Sequence, residues 1–160
     1  MKVIKSNIPE ILHILPDVYS DDRGCFRETY QTERYKDAGI DLDFVQDNVV
    51  FSKKGVFRGL HFQLPPYEQA KLITVISGEV IDIAVDIRAD SPTYLQQVRI
   101  TLKKDEQMYI PQGFAHAYYV LSKDALISYK VSSPYAPDQQ SCIGWNTLEL
   151  CLCDLIKDPM

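Results

Sequence analysis

The chain has 160 residues, 46% of them hydrophobic and 24% charged, which fits one globular domain with a sizeable core and excludes a disordered chain. A formal net charge of −5, with no Lys/Arg-rich segment, argues against a surface that tracks nucleic-acid phosphates, while leaving room for a local basic pocket. The longest charge-free stretch, 107-QMYIPQGFAHAYYVLS-122, is below spanning length and interrupted by Pro, Gly, Gln and His, so neither a membrane nor nucleic acid is an expected partner.

In chain order, the opening MKVIKSNIPEILHILPDVYS lacks an uninterrupted apolar run and a small-residue cleavage site, which makes the cytoplasm the expected location. The segment 31-QTERYKDAGI-40 alone reads as helix, ending near Gly39. Next come strand candidates 44-FVQDNVVFS-52 and 57-FRGLHFQ-63. If the second is fully extended, Phe57, Gly59, His61 and Gln63 share one face and Arg58, Leu60 and Phe62 the other, with a bulge at Gly59 able to re-aim Arg58. The β-branched run 71-KLITVIS-77 and the period-two run 80-VIDIAVDI-87 flank the turn Ser77-Gly78-Glu79 and read as a hairpin. Strand candidates 97-QVRITL-102, 107-QMYIP-111, 117-AYYVLS-122 and 125-ALISYKVS-132 follow, separated by turns such as Ala89-Asp90-Ser91-Pro92. Many short strands and no internal repeat or linker give a single all-β domain over residues 1–160, a sandwich or barrel of which the jelly roll is one solution. Cys25, Cys142, Cys151 and Cys153 form no C-x-x-C pair and are expected as thiols, the last two sharing one face if they lie on a strand.

Two histidines, His61 and His116, fall in separate strand-rich segments. Gln63 occupies the place where a His-x-His pair would put its second ligand, and Glu68 and Glu79 stand at no ligand spacing, so no metal is expected. An imidazole beside the Arg58 cation is biased toward its neutral, basic form. Lys71 opens a strand whose downstream partner carries Asp82; the two form either a structural ion pair or a cation that stabilises developing oxyanion charge. Among ten tyrosines, Tyr129 and Tyr135 are packing residues with hydrogen-bonded tips, or else a proton donor and a stacking platform.

The residues in this order resemble the dTDP-4-dehydrorhamnose 3,5-epimerase family of cupin jelly rolls. The likeness runs through Asp22-Arg23-Gly24, Phe26, Glu28, Phe44-Val45-Gln46-Asp47-Asn48, Arg58-Gly59-Leu60-His61, Lys71-Leu72, Ala84-Val85-Asp86-Ile87-Arg88, Pro111-Gln112-Gly113-Phe114-Ala115-His116, Tyr129-Lys130, Tyr135 and Trp145-Asn146. The resemblance implies His61 as the base beside a C4 ketone, Tyr129 as proton donor on the other face and Lys71 against the enolate oxygen. It also implies that Arg23, Phe26, Glu28, Gln46, Asn48, Arg58, His116 and Tyr135 contact phosphate and nucleotide of a dTDP-linked 4-keto-6-deoxy sugar, some from the neighbouring subunit of a homodimer; Gln63 joins this substrate-binding set. The chain departs from the family at Ala70, where glycine is usual, and after Trp145-Asn146, where the family carries an aspartate partner for the base in a Leu-Ser-x-Lys-Asp segment. Aligned without gaps, the chain stops at Met160 before that segment; either the natural gene encodes the tail or Asp82 or Asp158 stands in for its aspartate. Epimerisation at C3 alone, a sugar-nucleotide ketoisomerase and a non-catalytic sugar-nucleotide-binding cupin are the rival readings.

Overall fold

A computed structural model describes residues 1–146. One sheet has six strands in the order β1 (Lys2–Lys5), β2 (Leu12–Leu15), β10 (Gln107–Ile110), β7 (Lys71–Ser77), β12 (Asp124–Val131) and β5 (Gln46–Lys53). The other has five, β13 (Gln140–Cys142), β6 (Phe57–Gln63), β11 (Phe114–Val120), β8 (Glu79–Asp86) and β9 (Gln97–Lys103), while β3 (Val18–Asp21) and β4 (Gly24–Arg27) form a separate hairpin. All pairings are antiparallel. The helix α1 (Thr32–Asp37) begins where the Gln31 side chain accepts from the Arg34 amide and ends before Gly39 at φ +95°.

Period-two alternation sorts the side chains into layers. Ile73 and Val75 from β7, Val80 and Ala84 from β8, and Ala125 and Ile127 from β12 point between the sheets and form the main core. The intervening Ile83, Val85, Ala115 and Ala117 build a second cluster on the outer face of the five-stranded sheet, with Trp145 packed against it. Leu12, Leu72 and Tyr109 on the outer face of the six-stranded sheet are covered by Tyr35 of α1 and by Ile40. Sheets buried on both faces explain why 80–87 is apolar on alternate positions and still has Asp82 and Asp86 among its buried side chains.

One expectation is corrected. β7 and β8 are consecutive strands but not a hairpin: β7 pairs with β10 and β12, and β8 with β11 and β9. Between them Gly78, at φ +91°, turns the chain from one sheet to the other in a space where a Cβ would collide with Asp124 O and lie 2.7 Å from Ser122 Oγ. Periodicity identifies a strand; it does not identify the strand's neighbour. Lys71 and Asp82 therefore lie on strands of different sheets instead of on paired strands.

Asp86 closes the end of β8 onto the loop that follows. Its buried carboxylate accepts from Arg88 Nη2 at 2.7 Å and from the Ser91 and Thr93 hydroxyls at 2.6 Å each. Burial alone would raise its pKa, but the Arg88 guanidinium and the two hydroxyls outweigh that and hold it well below the usual carboxylate range. A depressed carboxylate pKa gives stability that is fully present above the unfolded-state value, about pH 4, and is lost as pH falls toward the folded value. Asp86→Asn is expected to lower stability by about 3 kcal/mol at pH 7, with the gap to the unmodified protein narrowing below pH 4. Urea melts at pH 7 and pH 2 test this, and equal gaps at both would contradict it.

Candidate active site

A cavity of about 150 Å³ opens between the sheets, lined by Val50, Arg58, His61, Lys71, His116, Tyr118 and Tyr129. Local backbone geometry at β6 builds half of it. In the β6–β11 pair, His116 lies opposite His61 and Tyr118 opposite Arg58, so two residues of β6, Gly59 and Leu60, answer one of β11, Ala117. This is a bulge, centred on Gly59 at φ +133°, and a Cβ there would collide with Ala117 Cβ and His116 O. The extra residue changes the phase of the strand. Arg58 and His61 both face the cavity, while Phe57, Leu60 and Phe62 pack in the outer cluster. The regular alternation that puts Phe57 with His61 is thus corrected, and the re-aiming of Arg58 at Gly59 is what the structure contains.

The cavity is rich in positive charge. His61 stands at its mouth with a pKa held below the ordinary histidine value, first by burial and then by the Lys71 cation, with His116 and the Arg58 cation acting in the same direction. The imidazole is therefore neutral and basic near pH 7. Lys71, at the start of β7, is buried, and desolvation pushes its pKa down to about 8 against the opposing pull of the Asp82 charge. Tyr129 projects from β12; burial raises its pKa, the Arg58 charge works against the rise, and Tyr135 adds to it. Arg58 is fixed by its Nε, which donates to Ser52 Oγ at 3.1 Å, and Ser52 Oγ in turn meets the Tyr118 hydroxyl at 2.9 Å. That leaves the terminal guanidinium nitrogens to face the cavity.

Asp82 is fully buried, and its Oδ1 accepts from His116 Nε2 at 2.8 Å. It is the partner of His116 and not of His61. Among the described residues no side-chain hydrogen bond reaches the His61 imidazole, and Asp158, the other candidate partner, lies outside them together with Cys151 and Cys153. The described thiols Cys25 and Cys142 are free and exposed.

At the rim, Gln46 donates to Asn48 Oδ1 at 2.8 Å and accepts from the Tyr135 amide at 3.0 Å, which ties β5 to the chain after β12 and leaves the Tyr135 ring 55% exposed. Gln63 is engaged by the backbone: it donates to Tyr67 O at 2.6 Å and Pro134 O at 3.2 Å, and accepts from Ala136 N at 2.8 Å. It clamps two loops and has no free amide to offer a ligand. Arg23, Phe26 and Glu28 do not line the cavity of their own chain. They sit on or beside the β3–β4 hairpin, with Arg23 paired to Asp21 at 2.6 Å, Glu28 to Arg34 at 2.6 Å, and Phe26 68% exposed. Tyr118 and Ser52 were not singled out from the sequence. The signal for Tyr118 was its position two residues after His116, hence on the same face of a strand.

A hollow of about 230 Å³ adjoins the cavity beyond Lys71, between Gln63, Glu68, Arg88 and Phe114. Among the described residues there is no group of three or more His, Cys, Asp or Glu placed to hold a metal ion.

A six-on-five antiparallel sandwich with an acid–base cavity between its sheets defines a cupin-type isomerase. The chain belongs to the dTDP-4-dehydrorhamnose 3,5-epimerase family, whose profile matches residues 5–153. It is 42% identical to the dTDP-4-dehydrorhamnose 3,5-epimerase of Shigella flexneri over 163 residues, covering 100% of this chain and 90% of that one. Among solved structures it is similar to the Legionella pneumophila epimerase in complex with dTDP-4-keto-L-rhamnose (TM-score 0.90, 44% identity, 93% of this chain and 80% of that one). It is also similar to the Bacillus anthracis enzyme with TDP and pyrophosphate bound (TM-score 0.95, 38% identity, 99% and 93%).

Proposed function

We infer that the chain epimerises a dTDP-4-keto-6-deoxyhexose at C3 and C5, as an isomerase of dTDP-L-rhamnose biosynthesis. The observation that carries the mechanism is the placement of His61 on the five-stranded sheet and Tyr129 on the six-stranded sheet, both lining one cavity. A base and an acid on opposite sides of a sugar ring are what inversion at carbon requires. The C4 ketone acidifies C3–H and C5–H, so neutral His61 removes the proton, Lys71 balances the charge that develops on the C4 oxygen, and Tyr129 returns a proton to the opposite face. The cavity is smaller than the roughly 300 Å³ at which whole small-molecule sites begin, so it takes the sugar while the nucleotide lies across the rim at Gln46, Asn48 and Tyr135.

Incubation with dTDP-4-keto-6-deoxyglucose in D₂O tests the reading. Deuterium at C3 and C5 supports it, deuterium at C3 alone makes the protein a 3-epimerase, and none at either carbon makes it a binding protein or a ketoisomerase acting elsewhere. Neutral His61 and protonated Lys71 are needed together, so kcat/KM is expected to persist below pH 6.5 and to fall through an alkaline limb near pH 8. A flat profile from pH 7 to 10 would remove Lys71 from its role. Activity is expected to survive exhaustive chelation, since carbon acidity beside a ketone needs no Lewis acid here; loss on chelation and recovery with added metal would overturn this.

The homodimer belongs to the same proposal. Arg23, Phe26 and Glu28 stand away from their own cavity, and Val45, Val49 and Phe51 leave apolar side chains exposed beside edge strand β5. In a dimer the hairpin residues reach the partner's rim, with Phe26 stacking on the base and Arg23 meeting phosphate. Mixing inactive His61→Asn chains with inactive Phe26→Ala, Arg23→Ala chains should restore part of the activity, because one of the two sites in a mixed dimer is intact. No recovery with proven subunit exchange would place each site within one chain. A reducing, cytoplasmic location agrees with the free Cys25 and Cys142.

A further inference from the structure

Arg58, Ser52 and Tyr118 form a short chain of hydrogen bonds that holds one proton more than it can use. Arg58 Nε donates to Ser52 Oγ at 3.1 Å, and Ser52 Oγ meets the Tyr118 hydroxyl at 2.9 Å. Three protons, on Nε and on the two hydroxyls, thus serve two contacts, and neither hydroxyl has another partner among the described residues. If Tyr118 donated to Ser52, the spare proton would sit on Ser52, which is 3% exposed and does not line the cavity. A buried hydroxyl proton with no acceptor is costly. If Ser52 donates to Tyr118, the spare proton sits on a phenol in the cavity wall, where a ligand can accept it. Burial raises the Tyr118 pKa above the ordinary phenol value, with the Ser52 hydrogen bond and the Arg58 charge working against the rise, so the group keeps its proton at neutral pH.

We propose that Tyr118 is a substrate-binding residue: Ser52 orders its hydroxyl so that the O–H donates into the cavity, to a phosphoryl oxygen of the sugar nucleotide that Arg58 also grips. This rests on the epimerase reading for the identity of the ligand, and on the hydrogen-bond count alone for the direction of the proton. Tyr118 stands directly opposite Arg58 in the β6–β11 register, and both line the cavity. The terminal guanidinium nitrogens have no ion-pair partner among the described residues, so a charged fork and a neutral donor face the same space. A sugar hydroxyl docked against them would bring a proton of its own, and the side chains lining the cavity include no carboxylate or amide to take it. The C4 ketone, which brings none, is already assigned to Lys71. A phosphoryl group brings acceptors only, enough for both donors at once. Ser52 thereby has two duties in one hydroxyl. It accepts from Arg58, which fixes the guanidinium, and it donates to Tyr118, which turns the phenol proton out of the core.

The test is the binding of dTDP, and of thymidine, which lacks the phosphates, to the unmodified protein and to Tyr118→Phe. Removing the hydroxyl is expected to weaken dTDP about tenfold and to change thymidine affinity less than about twofold. KM for the sugar nucleotide should rise with kcat nearly constant, because the lost contact is made equally in the ground and transition states. Unchanged dTDP affinity in a folded Tyr118→Phe protein would overturn the proposal. Equal weakening of dTDP and thymidine would overturn it too, since the packing of the ring would then be what had changed. Should the variant fail to fold, the 13Cζ resonance of Tyr118 in the unmodified protein decides: a shift on saturation with dTDP that thymidine does not produce supports the donation, and its absence sinks it. Neither binding nor resonance depends on turnover. Phosphate-dependent binding through Tyr118 with no solvent exchange at C3 or C5 would defeat the epimerase reading alone, and exchange with full dTDP affinity in Tyr118→Phe would defeat this one alone.

Discussion

Replacing His61 with Asn is expected to lower turnover by about three to four orders of magnitude and to stop deuterium entering from solvent at both carbons, while dTDP binds nearly as before. Asn keeps the size and polarity of the ring's near edge and cannot accept a proton. The residues proposed to grip the nucleotide, Gln46, Asn48, Tyr135 and Arg58, are different residues, and Arg58 is tethered by Ser52 and not by His61. Tyr129→Phe removes the donor and spares the base, so it is expected to exchange substrate protons with solvent and yet fail to invert the carbon. The two variants thus separate abstraction from delivery. Calorimetry with dTDP and NMR of the recovered sugar read both halves, and loss of dTDP binding in both would mean that the pair shapes the pocket and does not carry protons.

The fold was legible where side chains alternate over long runs. β5 through β12 were readable from Phe44 onward, and α1 within 31–40, because burial on one or both faces imposes a period that the order of residues reveals. Strands β1 to β4 were not: each has four residues, and those of the hairpin are exposed or nearly so, which leaves no alternation to detect. Partnership was also hidden. The turn at Gly78 looks like a hairpin turn but crosses between sheets, so the relation of Lys71 to Asp82 could be guessed from their strands and its geometry could not. The candidate site shows the same division. His61, Lys71, His116, Arg58 and Tyr129 were identifiable as chemistry-bearing types and through resemblance, and the structure brings them to one cavity. Which histidine Asp82 serves, and that Ser52 and Tyr118 hold Arg58, depend on contacts between residues distant in sequence.

Gly59→Ala is expected to cost about 2 to 5 kcal/mol of stability and to impair the site at the same time. Two effects add. Gly59 has φ +133°, a backbone region that side chains rarely adopt, and its Cβ position is occupied by Ala117 Cβ and His116 O, which are parts of a neighbouring strand that cannot swing away. Gly24 is the control: it has the same φ of +133° with nothing within 4 Å of an added Cβ, so Gly24→Ala isolates the backbone term, about 1 to 3 kcal/mol. The excess at Gly59 measures the close packing of β6 on β11. Relief of that clash requires β6 to slide or lose its bulge, and either movement breaks the phase that sends Arg58 and His61 to the same side. The surviving folded protein should therefore lose solvent exchange by at least about a hundredfold, with weaker dTDP binding as Arg58 turns away. Urea melts of both variants, with exchange and dTDP affinity for Gly59→Ala, provide the comparison. If the two alanines cost the same and Gly59→Ala keeps full exchange, then the bulge is not what assembles the cavity.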